Sequence, residues 1–199
     1  MSDTGHTPER KGEFSRKTRE TEVSVYVCLD SEGVSADVDT GIPFLDHMLE
    51  SFARHSGITL RVKAKGDLEV DEHHTIEDVA ISLGKAIANA LGEKRGIRRF
   101  GDAVVPMDDA VAICGIDISG RGYFNLSGDT GDVKGMKGEN FEHFFDSLCR
   151  NSGINVYLEV KGKNSHHKME AAFKAFAISF REAVEVAGKE VPSTKGKLD

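Results

Sequence analysis

Cysteine is scarce in this chain. Three residues, Cys28, Cys114 and Cys149, are spread over 199 positions. Their number is odd, their spacing is not that of a metal finger, and each sits in an apolar run. Such thiols read as buried and reduced, which excludes a disulfide framework and points to the cytoplasm. Long hydrophobic runs are missing too: nothing approaches the roughly 20 apolar residues a membrane helix needs. Met1 to Gly12 is polar, without a signal-like core, and reads as a disordered tail. Positive charge is the minority, with 26 Lys and Arg against 33 Asp and Glu and a net charge of -7. No basic cluster is joined to stacking aromatics, so a nucleic-acid partner is not expected. A small soluble substrate is the class left standing.

Histidine is also rare, with eight residues, yet six of the eight fall at equivalent places in an internal repeat. His-His-x-x-Glu occurs at His73-His74-Thr75-Ile76-Glu77 and again at His166-His167-Lys168-Met169-Glu170. Upstream, the segments His47 to Ile58 and His143 to Ile154 align without a gap, matching His, Ser, Arg and Ser-Gly-Ile, with Asp46 opposite Glu142. Imidazoles with carboxylates suit a divalent transition metal. The repeat therefore reads as a metal site built twice.

The surrounding pattern repeats as well. Val23, Val25, Val27 and Leu29 alternate with Ser24, Tyr26 and Cys28 as in a half-buried strand, and Glu32-Gly33 turns this into a hairpin with a second strand near Val34 to Val38. Phe44, Leu45, Met48, Leu49 and Phe52 recur at helical spacing after Pro43, and Gly57 stops that helix. A strand over Ile58 to Ala64 and a helix from about His74 to Leu91 follow. The second half gives strands near 110–117, 123–126 and 154–160, with helices over about 139–150 and 166–187. Val23 to Gly33 and Ala110 to Gly120 are equal steps, which extends the alignment upstream. A nine-residue excess before His143 falls in the Gly-rich stretch 127–138, a surface loop. The predicted fold is α+β: two tandem β-β-α-β-α repeats forming a two-layer sheet-and-helix domain with pseudo-two-fold symmetry. Its parts are a tail 1–12, halves 13–92 and 102–190, a connector 93–101 and a C-terminal substrate-binding segment 191–199.

On a helix the first His and the Glu of each motif, four apart, share a face, whereas adjacent histidines diverge by about 100° and cannot easily grip one ion together. The pair therefore serves two metals. Eight ligands, namely His47, His73, His74, Glu77, His143, His166, His167 and Glu170, give each ion about four and leave positions open, as at a catalytic site. Without thiolates, Mn²⁺ is favoured, with Fe²⁺, Co²⁺ or Zn²⁺ as alternatives. Asp46 and Glu142 orient ligands or are ordinary helix N-terminal acids. Two divalent ions against two carboxylates leave positive charge for an anionic substrate, for which Arg99, Arg121, Lys174 and Lys195 are candidates.

The chain resembles the imidazoleglycerol-phosphate dehydratases, lyases of histidine biosynthesis. The likeness runs from about Arg16 to Leu198, through Arg16-Lys17-Thr18-Arg19-Glu20-Thr21, Gly41-Ile42-Pro43-Phe44-Leu45-Asp46-His47, Asp71-Glu72-His73-His74-Thr75-Ile76-Glu77-Asp78 and Gly96-Ile97-Arg98-Arg99-Phe100-Gly101. It continues through Asp117-Ile118-Ser119-Gly120-Arg121, Phe141-Glu142-His143-Phe144, Asn164-Ser165-His166-His167 and Pro192-Ser193-Thr194-Lys195-Gly196. The resemblance implies two Mn²⁺ per active site on the same eight residues, and substrate contacts from Glu20, Arg99, Arg121, Lys174, Ser193 and Lys195. It also implies an assembly of 24 subunits with active sites shared between chains, and a monofunctional enzyme without the phosphatase domain some relatives carry.

Dehydrating imidazole glycerol phosphate removes a hydroxyl from the carbon on the ring and a proton from the next carbon, neither of them activated by itself. A metal on each ring nitrogen would favour the imidazolate, whose electrons expel the hydroxyl to a diazafulvene, after which a base takes the proton and the enol becomes imidazole acetol phosphate. Glu20 is the first candidate for that base, and Glu77 and Glu170 are the catalytic carboxylates on the metals. The competing enzyme is a dinuclear metallohydrolase acting on a phosphoester. A metal-storage protein would be an all-helical bundle, which the alternating strands argue against.

Overall fold

The structure is a computed structural model that describes residues 9–198. Each half shows the expected β-β-α-β-α run with one more strand ahead of it. The first half comprises β1 (Lys11–Lys17), β2 (Thr21–Cys28), β3 (Ser35–Asp39), α1 (Pro43–Ser56), β4 (Thr59–Gly66) and α2 (His73–Leu91). The second comprises β5 (Phe100–Met107), β6 (Ala110–Asp117), β7 (Phe124–Ser127), α3 (Gly138–Ser152), β8 (Asn155–Lys161) and α4 (Ser165–Val184). The part of the expected tail that is described, residues 9–12, is not disordered. Arg10 binds the Asp30 carboxylate and the Val184 carbonyl, and Lys11 and Gly12 already belong to β1. Residues 1–8 lie outside the described residues. Likewise Phe100 and Gly101, assigned to the connector by sequence, open β5.

The sheets run β1-β2-β4-β3 and β5-β6-β8-β7. The expected hairpin of β2 with β3 is therefore wrong: β2 pairs antiparallel with β1 and β4, while β3 lies parallel to β4 at the sheet's edge. The added strand takes the place beside β2, and α1 carries the chain across to the parallel neighbour, as a parallel pair requires. The register also corrects the upstream repeat alignment. With Ile58 opposite Ile154, Val62 corresponds to Leu158, and their partners Val25 and Cys114 correspond in turn. Val23 is thus the mate of Ala112 rather than Ala110, and Glu20 that of Asp109.

Each sheet is covered on one face by the helices of its own half, and the helices meet across the halves, α2 on α3 and α1 on α4. Phenylalanines fill the seam. Phe52 of α1 lies 5.3 Å from Phe176 of α4 across the halves, ring centre to ring centre, and within the second half Phe145 of α3 lies 5.0 Å from Phe173 of α4. All four are essentially buried, each worth about 2–3 kcal/mol of transfer free energy. Two repeat-equivalent glycines let sheet and helix touch. A Cβ on Gly12 would lie 1.9 Å from the Ala86 carbonyl of α2, and one on Gly101 2.1 Å from the Ser179 carbonyl of α4. The three cysteines are free and buried, and burial pushes the Cys114 thiol up to about 12. No helix among the described residues is long and apolar enough to cross a membrane.

Candidate metal centre and anion site

The ligand-bearing helices begin at their histidines for local reasons. Asp71 accepts a hydrogen bond from the His73 amide at 2.8 Å, and Asn164, the N-cap of α4, accepts one from the His167 amide at 3.2 Å. These side chains satisfy donors that a helix leaves bare in its first turn. Asp46, in the first turn of α1, instead ties down the approach to the helix, accepting from the Thr40 amide at 2.8 Å and the Thr40 hydroxyl at 2.6 Å. It is a turn anchor, then, and not the partner of His47. Glu142 is exposed.

Six of the eight expected ligands fall into two clusters, and each cluster mixes the halves. His47 of α1 meets His166 and Glu170 of α4; His143 of α3 meets His73 and Glu77 of α2. Because α1 packs on α4 and α2 on α3, a repeat's upstream histidine joins the other repeat's His–Glu pair. In each trio the ligand atoms lie within 4.8 Å of one another, compatible after slight contraction with bonds of about 2.0–2.2 Å to a common ion. His166 Nε2 is 3.1 Å from Glu170 Oε2, and His47 Nε2 is 3.9 Å from the same oxygen.

The second cluster gives the sharper test of fit. His143 Nε2 is 3.2 Å from Glu77 Oε1, yet this nitrogen is buried without a hydrogen-bond partner. The nitrogen is thus close to a carboxylate oxygen and unsatisfied by it, which leaves its lone pair for an ion held between them. The His73 and His143 rings stack with centres 4.8 Å apart, and His73 Nδ1 rests 3.2 Å from Asn140 Oδ1. Two imidazoles and a carboxylate, one ring nitrogen among them without a partner, form a donor set that fits a divalent cation. Burial opposes ionisation of Glu170, but the Lys174 ammonium 2.9 Å away, with His47 and His166, prevails and holds the carboxyl below its ordinary range. It is a carboxylate, ready to bind.

The other two histidines stand apart. His74 turns Nδ1 to Asp67, 3.1 Å from Oδ2, and His167 turns Nδ1 to Asp109, 2.6 Å from Oδ1. Among the described residues neither belongs to either cluster, and His167 Nε2 lies 3.5 Å from Asp108 Oδ2. The hydrogen bond to Asp67, with Glu20 nearby, raises the pKa of His74. Glu20 itself is exposed on the β1–β2 turn, where the Thr18 hydroxyl accepts from its amide at 3.1 Å. That turn is tied to α2: the buried Asp78 takes a short hydrogen bond from Thr21 and one of 2.6 Å from Arg16.

The expected substrate residues divide. Lys174 lies at the first cluster, while Arg99, Arg121 and the 192–195 segment gather around Asp117. Arg99 Nε donates to Asp117 Oδ1 at 2.7 Å and its Nη1 to the Pro192 carbonyl at 2.9 Å, and Arg121 reaches Asp117 at 3.7 Å. Ser193 Oγ accepts from the Lys195 amide at 3.2 Å. Arg99 has φ +72, a left-handed conformation costing a non-glycine residue roughly 1–2 kcal/mol. Its amide bond to the Ala183 carbonyl and its carbonyl bond from the Ile118 amide hold it there. Sequence reasoning passed over Asp67, Asp109, Asp117 and Asn140, which bind functional side chains from elsewhere in the chain. Only Asp117 stood inside a quoted motif.

Two rulers measure the gap between these groups. Asp117 ends β6 and Asp109, beside His167, precedes its start; at about 3.3 Å per residue the separation exceeds 20 Å. Ala183, bonded to Arg99, is seventeen residues along α4 from His166, about 25 Å at 1.5 Å per residue. Within one chain the anion group and the first metal cluster are too far apart for one small molecule. The largest concavity described lies over the outer face of the first sheet and is lined by none of the eight ligands.

Residues 40–180 match the family described as imidazoleglycerol-phosphate dehydratase. Among relatives, the imidazoleglycerol-phosphate dehydratase of Archaeoglobus fulgidus is 62% identical over 186 residues, which is 94% of this chain and 98% of that one. The crystal structure of the Pyrococcus furiosus enzyme, in complex with (S)-C348, superposes with a TM-score of 0.81 at 35% identity, covering 93% of this chain and 100% of that one. The Staphylococcus aureus enzyme gives 0.79 at 30% identity, covering 88% and 99%. None of these three relatives is named as a phosphoester hydrolase, so the competing enzyme class gains no support. A cross-repeat pair of histidine–carboxylate clusters, an arginine group at the far end of the same helix and near full-length similarity at 62% identity lead to one statement: the chain belongs to the imidazoleglycerol-phosphate dehydratase family.

Proposed function

We propose that the protein removes water from D-erythro-imidazole glycerol phosphate to give imidazole acetol phosphate, a step of L-histidine synthesis, with two Mn²⁺ at each active site. The observation that carries this reading is the pair of cross-repeat clusters, His47–His166–Glu170 and His73–Glu77–His143, whose ligand atoms converge and, in the second, leave His143 Nε2 buried without a hydrogen-bond partner. When bound, the metals supply Lewis acidity toward the imidazole ring and a template for its orientation. The chain's own residues do the rest. Arg99 and Arg121, with Ser193 and Lys195, take the phosphate by charge-assisted hydrogen bonds. Lys174 keeps Glu170 ionised. Glu20 accepts the proton from the carbon next to the one losing hydroxyl: it sits on a turn pinned to α2 through Thr21 and Asp78, and no side chain among the described residues pairs with its carboxylate.

The separation of the anion group from the first cluster, together with His74 and His167 lying outside both clusters, supports active sites shared between copies of the chain. Each copy would give three ligands to each of two metal ions and a single histidine, His74 or His167, to each of two ions completed by neighbours, in a homo-oligomer of 24 subunits. Buried, unpaired cysteines fit the cytoplasm. The test is incubation of Mn²⁺-loaded protein with the substrate, assaying the enolised ketone product against free phosphate, and elemental analysis of the same sample. Ketone without phosphate release, and about two manganese ions per chain, are expected. Phosphate release, or one ion or none per chain, refutes the reading.

A further inference from the structure

Duplication explains why His74 and His167 are equivalent, but not why both bind a carboxylate. Asp67 lies between β4 and α2, and Asp109 in the β5–β6 turn. By strand register the mate of Asp109 is Glu20, and the mate of Asp67, one residue past the equivalent Gly66 and Gly162, is Lys163. The two contacts were therefore not inherited together. Each half places a carboxylate against Nδ1 of its outward histidine from a different point in the chain, and against the same ring nitrogen.

The geometry selects a tautomer. A carboxylate can only accept, so in the neutral ring Nδ1 carries the hydrogen and Nε2 keeps its lone pair; at His167 the 2.6 Å hydrogen bond to Asp109 decides this over Asp108, whose Oδ2 lies 3.5 Å from Nε2 without forming one. Asp109 is itself fixed: Oδ2 accepts from the Lys163 amide at 2.7 Å and the Asn164 amide at 3.0 Å, while Oδ1 takes His167. Asp67 holds His74 through both oxygens, at 3.1 and 3.3 Å, and its side chain makes no other hydrogen bond among the described residues.

Resting on the reading above, in which His74 and His167 are metal ligands, we propose that Asp67 and Asp109 are positioning residues. They fix each ring so that Nε2 faces outward as a ligand before a second chain arrives. A ring fixed in advance loses less rotational freedom when it enters a centre completed by another subunit, and its nitrogen is the more basic for the carboxylate behind it. Asp67 in the first half does for His74 what Asp109 does for His167, which leaves Glu20 without a histidine to hold.

The test is a Mn²⁺ titration of full-length protein without substrate, following free Mn²⁺ by electron paramagnetic resonance, for Asp67→Asn, Asp109→Asn, Asp109→Glu, His74→Ala and His167→Ala. Asparagine keeps an oxygen for the backbone amides but can turn its NH₂ toward the ring. The two asparagine variants should bind Mn²⁺ about 10- to 100-fold more weakly, Asp109→Glu should recover part of the loss, and metal-free melting temperatures should match the parent's. If Asp109→Asn melts lower, Asp67→Asn decides, since its side chain holds only His74. Asparagine variants that bind Mn²⁺ like the parent, while the alanine variants lose it, overturn the positioning role and leave the ligands standing. Alanine variants that bind normally overturn both.

Discussion

Gly101→Ala tests how closely the anion site depends on the contact between sheet and helix. The added methyl would sit 2.1 Å from the Ser179 carbonyl oxygen and 2.9 Å from the Ala183 amide, and ordinary contact begins near 3.4 Å. Backbone lies on both sides, so no side chain can swing away, and β5 and α4 must part by about 1 Å. Overpacking of this kind costs typically about 1–3 kcal/mol, and a rigid backbone contact belongs at the upper end. For a chain of this size each kcal/mol moves the melting temperature by roughly 2–4 °C, so a fall of about 6–12 °C is expected by calorimetry at fixed protein and metal concentration. Gly12→Ala, with its Cβ 1.9 Å from the Ala86 carbonyl, should cost about as much at the equivalent place in the other half. The functional effects should differ. Arg99 is two residues from Gly101 and takes its conformation from the bond to Ala183, so Gly101→Ala should raise KM severalfold with metal content unchanged, and Gly12→Ala should raise it less. Parental melting in either variant refutes the contact argument. A destabilised Gly101→Ala enzyme with parental KM refutes the link from β5 to the anion group.

Glu20→Gln should lower kcat by roughly 10² to 10⁴ with manganese content unchanged, whereas Glu77→Gln should lose metal; normal turnover in the first variant would pass the base role to another group. Ligand imidazoles must be neutral, and Asp67 raises the pKa of His74, so the proton competes there at higher pH than at an ordinary histidine near 6.5. Bound manganese, measured after dialysis, should therefore decline as pH falls toward 6, and full retention at pH 5 would contradict the ligand set. Chelation should also dissociate the assembly in light scattering, because ions bridging chains stabilise only the associated form; an unchanged mass after complete metal removal would place the ligands within single chains.

How much of this was legible in the sequence depends on what a period can encode. Helical spacing located α1 to α4 within a few residues, since a buried stripe must recur every three or four positions and glycine marks the stops at Gly57 and Gly92. The repeat singled out eight candidate ligands, of which the structure brings six into two clusters and leaves His74 and His167 outside them. The strand alignment was less determinate. A slip of two residues leaves every side chain on the same face, so Val23 could be set against Ala110 when hydrogen bonding sets it against Ala112. Nor could alternation say that β2 pairs with β1 rather than β3, because strand neighbours are chosen across the chain and not along it. Only the tertiary structure decided that each metal cluster takes one histidine from the opposite repeat, for that follows from α1 packing on α4 and α2 on α3. It likewise brought Asp67, Asp109 and Asp117 to their partners, two of them from eighteen and fifty-eight residues away. Sequence fixes which side chains can bind a metal; contact between distant segments decides which of them meet.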